Sequence, residues 1–260
     1  MKSTKLRSPC AAVLAVVALL VTAAPALAQQ APVTDPKVTA AQANVRLGLE
    51  YLRKGEVALA RDKIERALSQ NPKDVGVQLG AGLLYERLGE AAKAETHYRQ
   101  ALKVDPKSPE AQNALGAFLC RAGSNAKGEE LFVKAAANPL SRSPDVSYIN
   151  AGVCARADGR LDAADKHFRQ ALAIRPNSRD ALAQLASLSL ERKAYLPARA
   201  FVQRYLAAGP AAPEVLLLGV RVETALGDAD AAAAYRDRLV AEFPTSSEAA
   251  QVAAGPEAAR

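Results

Sequence analysis

The chain has 260 residues, half of them hydrophobic, only 5% aromatic and none Trp, with a formal net charge of +7. An alanine-rich, aromatic-poor composition of this kind fits one continuous helical array rather than several globular domains. The mild basic excess is spread over helix faces and gives no argument for nucleic acid.

Residues 1–28 read as a secretory signal peptide: Lys2, Lys5 and Arg7 precede an apolar run from Ala11 to Val21, and Ala26-Leu27-Ala28 offers a small-residue cleavage site before Gln29. The run is about a dozen residues, short of the ~20 that span a bilayer. Cleavage removes three cations and lowers the charge from +7 to +4. The expected product is periplasmic, and any membrane association is indirect. Residues 29–37 are expected to be a disordered linker, 38–248 a repeat array and 249–260 a disordered tail.

From Asn44 onward a period of 34 governs the chain. Gly48, Gly82 and Gly116 keep it, as do Pro72 and Pro106, Tyr51 and Tyr85, and Ala60 and Ala94. A fixed period of this length predicts stacked helical hairpins. In the first hairpin Gly48 and Ala60 let two antiparallel helices approach, Tyr51 and Ile64 fill the space beside them, Gly55 ends the first helix and Pro72 stops the second. The second repeats this with Gly82, Tyr85, Gly89, Ala94, Tyr98 and Pro106, and the fourth with Gly152, Gly159, Ala164, Phe168 and Pro176. The third is looser, around Gly116, Gly123 and Phe132, with two residues inserted near Asn138-Pro139-Leu140. A fifth hairpin around Leu185-Ala186, Tyr195 and Phe201 and a sixth around Leu218-Gly219, Gly227 and Tyr235 are degenerate. One hairpin cannot bury its own apolar stripe, so an all-α solenoid of about six hairpins follows.

With Cys10 removed in the signal, Cys120 and Cys154 remain on the first helices of consecutive hairpins. Two cysteines in an exported chain favour a disulfide, against the alternative of two separately buried thiols. The bridge would staple hairpin three to hairpin four.

Nothing in the chain reads as catalytic. His97 and His167 each precede the aromatic plug of a second helix, which predicts an outer face two repeats apart rather than a shared metal site. Gly80-Ala81-Gly82 has no preceding strand and lacks a third glycine, so it is a packing surface and not a phosphate loop. No cofactor, metal or small-molecule substrate is expected. Function falls to binding on the concave face lined by the first helices. The residues that internal packing leaves over are Val45, Leu49, Leu52 and Arg53, then Leu79, Leu83, Glu86 and Arg87, then Asn113, Ala117 and Arg121. Their apolar members predict a stripe for an amphipathic helix or extended peptide, with packing against adjacent helices as the alternative.

The hairpin residues and spacing resemble the tetratricopeptide repeat, which implies a right-handed superhelix. Several segments go further: Asn44 to Gly55, Asn113-Ala-Leu-Gly-Ala-Phe-Leu-Cys120, Asn150-Ala-Gly-Val-Cys154, Tyr195-Leu-Pro-Ala-Arg199 and Leu216-Leu-Leu-Gly-Val-Arg221. Together they resemble the PilF/PilW type IV pilus biogenesis and stability proteins over roughly Asn44 to Pro244. The resemblance implies a pilotin, a non-enzymatic factor that binds the outer-membrane secretin and supports its localisation and assembly, through a surface in the first repeats. One departure is that Cys10 lies before the apolar run, so no lipid-attachment cysteine is visible. A general periplasmic scaffold for another envelope system is the alternative reading.

Overall fold

In the computed structural model, residues 36–253 are described, and the expected signal peptide, with most of the linker, lies outside them. The described residues form thirteen α-helices and no strand. Twelve pair into six hairpins: α1 (Pro36–Lys54) with α2 (Val57–Gln70), α3 (Val75–Arg87) with α4 (Ala91–Val104), α5 (Pro109–Arg121) with α6 (Asn125–Ala137), α7 (Pro144–Ala157) with α8 (Leu161–Ile174), α9 (Arg179–Glu191) with α10 (Tyr195–Ala207), and α11 (Pro213–Leu226) with α12 (Ala229–Glu242). Each hairpin packs on the next, and first helices touch first helices along the stack, α1 on α3, α3 on α5 and α9 on α11.

Local chemistry sets the boundaries. Asp74 caps α3 by accepting from Val77 N at 3.0 Å, Ser108 caps α5 from Ala111 N at 3.2 Å, and Asp228 caps α12 from Ala231 N at 3.1 Å. Five hairpin turns place a glycine at positive φ, from Gly55 (79°) to Gly227 (76°), where a side chain would meet its own backbone. In the fifth hairpin Lys193 takes that conformation, at φ 58°.

Within a hairpin, the first-helix glycine receives the plug of the second helix. A Cβ on Gly48 would stand 2.7 Å from Ile64 Cγ1, one on Gly82 2.6 Å from Tyr98 Cδ1, and one on Gly219 2.8 Å from Tyr235 Cδ1. Ile64, Tyr98 and Phe168 are thereby buried, with Ala60, Ala94 and Ala164 fully covered beside them. Tyr51 and Tyr85 are only half-buried, and Tyr85 stacks on His97 with ring centroids 5.2 Å apart. The third hairpin uses another device: Gly116 faces Gly128, so two backbones meet directly and Phe132 is displaced toward α7, where it packs with Ala151 and Cys154.

That displacement accompanies the insertion after α6. Asn138 Nδ2 donates to Lys107 O at 2.6 Å and its Oδ1 accepts from Leu140 N at 2.8 Å, which folds the added residues into a tight loop. With small residues buried on both helices, Ala135 and Ala136 on α6 and Ala151 and Ala155 on α7, α6 packs on α7 as extensively as on its own hairpin partner α5. α7 makes little direct contact with α9.

Two boundaries differ from the sequence reading. α1 begins at Pro36, inside the expected linker. Residues 247–253, mostly assigned to a disordered tail, form α13 (Ser247–Ala253), which sets Ala249 and Val252 against Leu216 and Leu239. It covers the apolar end of the sixth hairpin, as a terminal repeat must.

Candidate protein-interaction surface

The inner face is built from the sides of the first helices that hairpin packing leaves free. At its N-terminal end, Leu83 is 45% exposed, while Leu49 and Leu52 are half-buried against the first core cluster and Leu79 against the second. Val45 corrects the sequence reading. It is 8% exposed and packs into the space opposite Gly80, whose added Cβ would lie 3.1 Å from Val45 Cγ1. It is a core residue joining α1 to α3.

The polar residues of this face divide into tied and free groups. Arg53 pairs with Glu50 on its own helix. Arg121 Nε donates to Glu86 Oε1 at 2.9 Å, and Tyr98 OH donates to the other oxygen of Glu86 at 2.8 Å, linking α5 to α3 and α4. Burial, and then that carboxylate, hold the Tyr98 phenol protonated by pushing its pKa up. Asn113 Oδ1 accepts from Ser147 Oγ at 2.8 Å, a bond between α5 and α7. Arg87, one helical turn from Leu83, is exposed and has no ion-pair or hydrogen-bond partner among the described residues. Of the expected binding residues, Leu83 and Arg87 are therefore the pair most open to a partner.

A deeper concavity lies in the C-terminal half, which the sequence reading did not single out. The gap between α7 and α9 is a cavity of about 580 Å³ lined by Val153, Arg156, Gln184, Ser187, Leu190 and Glu191. It runs on into a second, of about 310 Å³, that shares Arg156, Gln184 and Ser187 and is closed by Leu217, Leu218, Arg221 and Glu248. The Leu216-to-Arg221 segment was the available pointer, since three leucines in succession cannot all face one core.

The two histidines are structural. His97 Nδ1 lies 2.8 Å from Gln78 Oε1, and Gln78 gives its amide nitrogen to Pro72 O at 2.6 Å, so the ring donates through Nδ1. Burial pushes its pKa down. His167 differs from the expected outer-face placement. It is 8% exposed, because Glu129 of α6 accepts from its Nε2 at 2.8 Å and draws it between hairpins three and four. Among the described residues no group of three or more His, Cys, Asp or Glu could hold a metal. Cys120 and Cys154 face each other across α5 and α7 with Cα atoms 5.7 Å apart and their sulfurs at bonding distance.

The comparisons with known proteins agree with this architecture. The tetratricopeptide-repeat family model matches residues 51–118 and 155–219. A solved structure described as PilW, a widely conserved type IV pilus biogenesis factor, superposes with a TM-score of 0.73 at 31% identity, covering 82% of this chain and 97% of that one. Pseudomonas aeruginosa pilF gives a TM-score of 0.72 at 24% identity over 85% of this chain and 99% of its own. A repeat protein from Parabacteroides merdae, at 18% identity and a TM-score of 0.58, shares the fold alone, covering 77% of this chain and 78% of that one. No curated protein sequence matches. An array of such hairpins presents its surface to other proteins, and the chain belongs to the tetratricopeptide-repeat family as a member of the PilF/PilW type.

Proposed function

We propose that the protein is a non-enzymatic assembly factor of the type IV pilus, which binds the outer-membrane secretin in the envelope and supports its multimerisation. The observation that carries this reading is the likeness, over 82% of this chain, to a structure described as a type IV pilus biogenesis factor. A family of protein-binding repeats with no catalytic constellation supports a binding role. No helix among the described residues is long and apolar enough to cross a membrane, which accords with a factor that meets its partner from the periplasm.

The partner surface in this reading is the N-terminal inner face, with Leu83 as the apolar contact and Arg87 as the charge that selects an acidic neighbour; Leu49, Leu52 and Leu79 form its floor, and Arg53, Asn113 and Arg121 its edge. α1 adds Arg46 and Lys54, both exposed and without ion-pair partners among the described residues, so this end offers positive charge to an acidic segment. In the exported protein Cys120 and Cys154 are oxidised, which holds hairpins three and four together beneath that surface.

Deleting the gene and scoring heat-resistant secretin multimers in the outer-membrane fraction tests the role. Loss of multimers, restored by the wild-type chain and not by a Leu83→Glu/Arg87→Glu variant that folds normally, is the expected result. Unchanged multimers and normal pili on deletion would overturn it.

A further inference from the structure

We propose that the trough between α7, α9, α11 and α13 is a second docking site, for an extended segment that combines apolar side chains with a lysine or arginine. It is separate from the N-terminal face, and does not depend on what that face holds.

The occupant follows from the lining. Val153, 41% exposed, and half-buried Leu190 line the first cavity, and half-buried Leu218 the second, over Leu217, which belongs to the core. Between these apolar stations lies a polar rung. Arg156 Nη2 donates to Ser187 Oγ at 3.0 Å, and its Nε donates to Glu191 Oε2 at 2.9 Å. Gln184 lines both cavities, and its amide is held only by a 3.4 Å contact of Oε1 with Arg156, which leaves its NH2 donors without a hydrogen-bond partner among the described residues. A strand-like backbone, with an N–H and a C=O at each residue, is the ligand that such a side-chain amide and hydroxyl satisfy.

Charge selects the segment. Glu214, exposed, has no ion-pair or hydrogen-bond partner among the described residues, and Glu248 receives only the Ser247 hydroxyl, at 3.0 Å. Both line the second cavity. Two cations line the same cavity: Arg156, whose ion pair is with Glu191, and Arg221, which is turned to Gln251 Oε1 at 3.0 Å; neither makes an ion pair with Glu214 or Glu248. Two unneutralised carboxylates at one end of an apolar trough favour a cationic side chain over an anionic one. Three first helices and α13 are separated by three spacings of ~8–10 Å, a path of about 24–30 Å that roughly seven to nine extended residues cover. The trough lies where α7 makes little direct contact with α9, and Glu248 of α13 lines its far end.

The test uses the chain from residue 29 onward, isotope-labelled, titrated with a ten-residue peptide of alternating leucine and lysine and with its leucine–glutamate counterpart. Amide shifts should concentrate at Gln184, Ser187, Leu190 and Leu218, with the lysine peptide bound at least about ten-fold more tightly than the glutamate one. Glu214→Lys with Glu248→Lys should reverse that preference, and Ser187→Arg should abolish binding of both peptides without changing the circular dichroism. Equal binding of the two peptides, shifts confined to α1, α3 and α5, or no binding at millimolar peptide would each overturn the proposal. None of these outcomes involves the secretin, so failure here is distinct from failure of the assembly role.

Discussion

Replacing Gly152 by alanine separates the two opposing effects that a first-helix glycine has in this fold. Alanine is a better helix former, by about 1 kcal/mol in a helix interior. The new methyl would meet the ring of Phe168, with Cδ1 at 2.7 Å and Cζ at 2.9 Å, and the ring is wholly buried with no room to retreat. Overpacking a well-filled core costs about 1–3 kcal/mol, so the net destabilisation should be roughly 0–2 kcal/mol, toward the upper end because the obstacle is a rigid ring. The same change at Gly48 meets Ile64 Cγ1 and Cδ1, at 2.7 and 2.8 Å. Cδ1 can swing about χ2, while Cγ1 is held by the stiff χ1 of a β-branched residue, so the cost is relieved in part and should be smaller than at Gly152. Urea unfolding followed by circular dichroism measures both, and a third variant, Gly152→Ala with Phe168→Leu, completes the cycle. Alanine should cost less in the leucine background, since the ring that opposes it is gone. If Gly152→Ala proved as stable as the parent, or if the leucine background left its cost unchanged, contact between glycine and plug would not be what closes these hairpins.

Lys193→Gly should stabilise the protein by about 0.5–1 kcal/mol, because it relieves an L-residue of the left-handed conformation at φ 58°; a thermal melt reads it directly. Reducing the Cys120–Cys154 pair, or changing both residues to serine, should cost roughly 3–4 kcal/mol on the chain-entropy account, seen as a lower denaturation midpoint under thiol. Arg199 Nε lies 2.9 Å from both oxygens of Glu223, whose side chain is 3% exposed against 29% for Arg199. Arg199→Met therefore strands a buried carboxylate and should cost about 3 kcal/mol, more than Glu223→Gln, in equilibrium unfolding. The depressed pKa of His97 adds stability that is present above the ordinary value of 6.5 and is lost as pH falls through 6.5 toward the folded value, because the unfolded chain binds the proton first. His97→Gln should flatten the stability profile over that window.

Much of this was legible in the sequence because few residues carry it. The 34-residue interval fixed the hairpins, since glycine, plug and turn recur with their own spacing and each has one steric task. Where a task passed to an unusual residue, the text went quiet: Lys193 performs a glycine's turn, and Gly128 stands where the other hairpins have Ala60, Ala94 and Ala164, so that two backbones meet there. Val45 was read as a groove residue because its register points inward. The neighbouring helix offers Gly80 at that height, and the missing side chain there lets Val45 sink into the core. α13 gave no sign because a lone short helix has no partner with which to repeat a pattern, and the trough gave none because it is a distance between helices.

The close seating of α6 against both neighbours also bears on how the molecule bends. A hairpin solenoid behaves as a rod whose compliance resides in its junctions. The junction between hairpins three and four, where α6 meets α7 as tightly as it meets α5, is the stiff one. Flexure is therefore confined to the two halves on either side. Bending of the first hairpins, at the more sparsely packed α2–α3 and α4–α5 junctions, would be damped at the stiff junction before it reached the C-terminal trough.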